Sequence, residues 1–216
     1  MGSIARSAAN LVTTSGVWLK GGVNNDSFDN VTALPSSFGD GITLISSQTA
    51  SNSASISFTS GLTSTYKAYK FVFSNIHPRT NNVDFQFNLS TDSGSNYNVT
   101  KTTTMFRSIH NEADSATALS YETGQDLAQS TAFQNITEGL GTASDHSASG
   151  SLLLFNPSST TYVKHFICRS QAVYFGDYSF DYNSAGYANT TSAINAIQFK
   201  MSSGNIDGTI YLYGIK

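Results

Sequence analysis

The chain of 216 residues has little charge: Asp, Glu, Lys and Arg make up 12% of it, about half the usual share. Its net charge is −3, so it has no basic excess to lay along a phosphate backbone, which argues against a general nucleic-acid binder though not against a local basic patch. It has one cysteine, Cys168, and so no internal disulfide. Cys168 lies in the alternating run Tyr162–Arg169 and reads as a buried free thiol. No apolar run approaches the ~20 residues of a membrane-crossing helix, so membrane insertion is not expected. The opening Met1-Gly-Ser-Ile-Ala-Arg6 has no apolar core after its arginine and no Ser or Thr at position 6. It fits neither a signal peptide nor a myristoylation site, which predicts a protein made in a cytoplasm and not exported by the general route.

Ser, Thr, Asn and Gly fill the space that charge leaves, and 14 Phe with 11 Tyr supply the bulk. These are strand and turn formers, not helix formers. Strand-like runs bounded by turn residues follow Gly39-Asp40-Gly41: Ile42–Ser46, Ala54–Phe58, Ala68–Ile76, Val83–Leu89, Asn98–Ile109, Phe133–Ile136, Gly150–Phe155, Tyr162–Phe175, Tyr178–Asn183, Ala193–Met201 and Thr209–Ile215. Residues 111–130 hold the only passable helix or long loop. No fixed-period repeat appears, which argues against a β-helix or propeller. The pattern predicts an all-β fold, a jelly-roll-like two-sheet antiparallel β-sandwich over residues 41–216. The closing strand stays ordered only if a sheet holds it.

Residues 1–40 differ. Their apolar residues stand as isolated points in a Gly/Asn-rich background with no sustained period. They read either as an extended N-terminal docking arm or as a first strand of the sandwich. An arm is expected, with Leu11, Val12, Val17, Trp18 and Leu19 as candidate anchors.

His77, His110, His146 and His165 show no ligand spacing. Asp92-Ser-Gly-Ser-Asn96 alternates oxygen donors as calcium loops do but has no closing carboxylate, and Asx-type turn bonds account for it. Asn24–Asp29 has the same ambiguity. There is no Gly-x-Ser-x-Gly elbow and no phosphate loop. Glu112, Asp114, Glu122, Asp126 and Glu138 could pair for glycan hydrolysis, or form a solvated loop. The expectation is a non-enzymatic protein with no cofactor, no metal and no catalytic residue. The aromatic stretch 174–187 could stack on a sugar or a protein partner, with Tyr174, Tyr178, Tyr182 and Tyr187 as candidate surface recognition residues.

Three blocks resemble virion structural proteins of tailed bacteriophages, particularly those of marine and cyanobacterial phages. They are Ser74-Asn-Ile-His-Pro78 running into Asn82–Phe87 and Ser90–Tyr97, then Gly150–Phe166, then Ser203–Lys216. The head Ser3-Ile-Ala-Arg-Ser-Ala-Ala-Asn10 is similar to that of some phage fibre-like proteins. The resemblance implies a virion protein, a tail-fibre-like appendage or alternatively a capsid or tail decoration (cement) protein, docked by its arm on other virion proteins. For an appendage it also implies a host surface glycan as partner. The edge strands of a sandwich must be covered, and a symmetric oligomer covers them, so a homotrimer or larger array is expected. A small glycan-binding or glycan-degrading module is the remote alternative.

Overall fold

A computed structural model describes residues 41–216. The expected arm, with Leu11, Val12, Val17, Trp18 and Leu19, lies outside the described residues, as does the Asn24–Asp29 stretch.

The described residues form twelve strands and no helix: β1 (Ile42–Ser53), β2 (Ile56–Phe58), β3 (Ala68–Pro78), β4 (Phe85–Ser90), β5 (Lys101–Asn111), β6 (Thr117–Tyr121), β7 (Gln134–Asn135), β8 (Ala148–Phe155), β9 (Lys164–Tyr174), β10 (Tyr178–Ala188), β11 (Ala196–Met201) and β12 (Ile206–Ile215). All pairings are antiparallel. One sheet has eight strands in the order β1-β12-β3-β8-β9-β10-β5-β6, and the other has four, β2-β11-β4-β7. Setting aside β5, β6, β9 and β10 leaves eight strands. Renumbered one to eight along the chain, they lie in orders 1-8-3-6 and 2-7-4-5. That is the double Greek key of a jelly roll. The four remaining strands are two hairpin insertions, and both extend the same edge of the larger sheet beyond β8.

Period-two alternation sets the layers. In β9 every second residue from Lys164 to Ala172 is buried, with exposed residues between them. Phenylalanines from the two sheets meet between the layers: Phe58 with Phe71, Phe73 with Phe85, and Phe87 with Phe166, ring centroids 5.1–5.4 Å apart. Phe199 lies among four other rings at 5.5–6.5 Å. The closing strand β12 runs between β1 and β3, inside the large sheet.

The structure corrects several local expectations. Residues 111–130 form no helix; the Asn111 side chain accepts the backbone N–H groups of Ser115 and Ala116 and closes a hairpin into β6. The Phe133–Ile136 strand shrinks to Gln134–Asn135. Both side chains there are buried and occupied in polar contacts, Gln134 accepting the Thr103 hydroxyl and Asn135 accepting the Gln86 amide. The strand at Ile42 is longer than expected, continuing through two bulges to Ser53 along β12.

Candidate functional site

The outer face of the eight-stranded sheet is the most distinctive surface. The ladders align Leu44, Tyr213, Lys70, Leu153, Ile167 and Ala185 in one row across six strands. The next row toward the same end carries Ile42, Ile215, Ala68 and Phe155, with His165 beside Tyr187. On the other side, Ser151, Arg169, Asn183, Phe106 and Tyr121 form a mixed row. Ile167 near the centre is 54% exposed, and Ile42, Leu44, Phe106, Leu119 and Tyr121 are also exposed. Most residues of the first two rows are apolar, so the sheet presents an apolar band to its outside. Two cations interrupt the band: Lys70 within the first row, and Arg169 in the mixed row, which is neutralised by a two-point bond to Asp181, with Nε to Oδ1 at 3.0 Å and Nη2 to Oδ2 at 2.8 Å. A shallow groove of about 430 Å³ runs along this face, lined by Phe155, His165, Ile167, Tyr187, Thr102 and Thr104 among others.

The candidate aromatic stretch divides by parity. Tyr178, Phe180 and Tyr182 share the inner side of β10, whereas Tyr187 has the opposite parity and reaches the outer face. Tyr182 is 1% exposed and its hydroxyl donates to Glu138 O at 3.0 Å, so it is a core residue and not a recognition residue. Tyr174 stacks on Phe180 at 4.6 Å and, like Tyr178, packs against the core. Tyr174 also lies over Gly139, whose positive φ and missing side chain make room for the ring. Of the four, Tyr187 alone opens onto the groove.

The acidic candidates also separate. Glu122 and Glu138 converge on one cation, Arg107 of β5, and all three side chains are at most 20% exposed. Arg107 forms an ion pair with Glu138. Its Nε lies 2.9 Å from Glu122 Oε1, though with the N–H not aimed for a hydrogen bond. The guanidinium covers the Phe180 ring at 4.8 Å. Asp126 bonds the Tyr121 hydroxyl at 2.6 Å, and Asp114 pairs with His110 at 3.0 Å. The two central carboxylates are thus bound to an internal arginine instead of facing a cleft. His146, nearly buried, bonds Asp177 through Nε2 at 3.2 Å, while its Nδ1 packs against Gly141, where no Cβ would fit. Burial pushes the Cys168 thiol up to about 12, so it carries no thiolate at neutral pH.

No protein-family model, characterised protein or solved structure matches this chain.

The Asp92 loop is closed on itself. The Asp92 carboxylate accepts the Asn96 side-chain amide at 2.7 Å, the Ser90 hydroxyl at 2.7 Å and the Asn96 N–H at 2.9 Å. These bonds, the Asn96 amide foremost, hold its pKa at about 2, below the ordinary 3.8. A depressed carboxylate adds stability above its unfolded pKa and loses it as the pH falls through the folded one. Asp92→Ala is expected to flatten the part of the acid-unfolding profile between about pH 4 and pH 2, and a calorimetric pH series on both proteins checks this.

The sequence reading missed the outer apolar band. Its signal was present where strands carry apolar residues at consecutive positions, as in Leu152-Leu153-Leu154-Phe155 and Phe166-Ile167-Cys168. A strand with one wet face alternates; one apolar on both faces has a second surface to cover.

Proposed function

We propose that this chain is a non-enzymatic structural protein of a tailed-phage virion, a fibre-like surface appendage that docks through its N-terminal arm. The apolar outer band supports this reading. Exposed apolar bands of this kind are often protein contacts. Two mostly apolar rows across six strands, five steps of about 4.8 Å, give a band on the order of 300 Å², a core for the ~800 Å² that each partner contributes to a standard interface. The polar remainder, rich in Ser, Thr and Asn, suits a wet rim that buries no unpaired charge. The phage setting rests on the sequence resemblance. Cement on a capsid or tail is the second reading, favoured by the breadth of the eight-stranded face.

Cryo-electron microscopy of intact particles tests the proposal. Density for this chain projecting from a tail or portal-proximal hub supports an appendage; density lying on a shell lattice replaces that with the decoration reading. Absence of the chain from purified particles overturns both. In solution the isolated chain is expected to be a trimer or larger. Ile167→Lys, which places a charge at the centre of the band, is expected to give monomers by light scattering. Its effect on monomer stability should stay within about 0.5 kcal/mol, as for other surface substitutions. A wild-type chain that is already monomeric at micromolar concentration would show that the face does not serve self-association.

A further inference from the structure

Two lysines are fully buried on one row of the large sheet's inner side. Lys164 of β9 and Lys101 of β5 both pair with Ala188 of β10, and each is 0% exposed. Their amines meet different chemistry. Lys164 Nζ donates to two peptide carbonyls, Thr190 O at 3.1 Å and Ser192 O at 2.7 Å. Lys101 Nζ donates to Val99 O at 2.8 Å and to the side-chain Oδ1 of Asn88 at 2.5 Å.

Asn88 is also fully buried, and its carboxamide is held on both sides. Nδ2 donates to Tyr97 O at 2.7 Å and Thr131 O at 2.9 Å, while Oδ1 also accepts the Leu89 N–H at 2.8 Å. Burial lowers the Lys101 amine to about 7, so near neutral pH much of it is uncharged. Two acceptors match the two N–H donors of a neutral amine and leave its lone pair unused. A desolvated neutral lysine is a nucleophile.

We propose that Lys101 and Asn88 become joined by an intramolecular isopeptide bond after the chain folds. The Lys101 Nζ lone pair attacks Asn88 Cγ and a carbon–nitrogen bond forms. The Leu89 N–H stabilises the charge that develops on Oδ1. A proton passes from Nζ to Nδ2, the Cγ–Nδ2 bond breaks, and ammonia leaves. The product is one secondary amide plus ammonia, with no change of oxidation state and no co-reactant. The fold contributes proximity and desolvation. The hydrogen bonds of the pair among the described residues include no carboxylate, so the proton moves directly between the nitrogens and the reaction is slow, maturing after folding. It is faster at alkaline pH, where more of the amine is free. The bond would tie β4 of the small sheet to β5 of the large one, at the place where the chain crosses between them.

The test is the intact mass of the purified full chain, followed over days at pH 6 and pH 8.5. The expected result is a loss of about 17 Da, one ammonia, accumulating faster at pH 8.5, with a branched tryptic peptide joining the Asn88 and Lys101 segments. Lys164→Met is expected to keep the deficit and Lys101→Arg to abolish it. Full mass after prolonged incubation at pH 8.5 overturns the proposal on the wild-type chain alone, whatever the variants do. The same mass deficit with trypsin still cleaving after Lys101 would mark a succinimide at an asparagine, and overturns it equally.

Discussion

Replacing Arg107 with Met is expected to lower the stability of the fold by about 3–5 kcal/mol, the loss seen when one partner of a buried ionic group is removed. The size follows from the surroundings. Glu122 and Glu138 are both more than four-fifths buried, and both face the same guanidinium. Without it, two carboxylates confront each other across a site whose other wall is the Phe180 ring. Methionine restores the stem's packing but not the charge. The triple variant Arg107→Met, Glu122→Gln, Glu138→Gln removes the repulsion as well and is expected to recover most of the loss. Urea unfolding of the wild type, the single variant and the triple variant measures both effects. A single variant within about 1 kcal/mol of wild type would show that water reaches the cluster and screens it.

Phe199→Ala is expected to cost a similar amount, about 3–5 kcal/mol, by a different route. Phe199 of β11 is fully buried and contacts the rings of Phe58 and Phe71 as well as Phe85 and Phe87. It therefore bridges the small sheet to β3 of the large one. Truncation leaves a ring-sized cavity that β2, β3, β4 and β11 would have to move to fill. Against a typical total of about 5–15 kcal/mol, the variant should be partly unfolded at physiological temperature. Phe199→Leu, which keeps most of the volume, should lose far less. Denaturant midpoints of the two variants separate cavity cost from loss of aromatic geometry.

Much of the fold could be read from the sequence because the strands are strongly patterned. Phe85, Phe87 and Leu89 alternate with polar residues and are buried together. The widening of one sheet was not readable. It depends on β10 pairing with β5, which brings Phe180 opposite Ile109 and Tyr182 opposite Arg107 across some seventy residues of chain. No local signal specifies such a pairing. Shorter but still non-local separations hid the acidic cluster: Glu122 and Glu138 were visible as carboxylates, but their common partner Arg107 was not. For the aromatic stretch, parity already separates Tyr178 and Tyr182 from Tyr187. Which side is inward depends on what covers the extension, and that is the non-local segment carrying Gln134, Ile136 and Leu140.

The position of β12 has a consequence for biosynthesis. Ile206–Ile215 separates β1 from β3 in the large sheet, so until those residues have been synthesised β1 has no partner in that sheet and β3 has only β8. Until then the emerging chain holds two long strands with unsatisfied edges. Pairing them with each other would put Leu44 and Phe71 into a register the finished sheet never uses. Contacts of such long sequence separation close slowly, and the waiting intermediate is prone to stick to its neighbours. Folding of this sandwich is therefore expected to finish only after translation has passed Ile215, and its yield in a crowded cell should depend on how long those edges wait and on what shields them meanwhile.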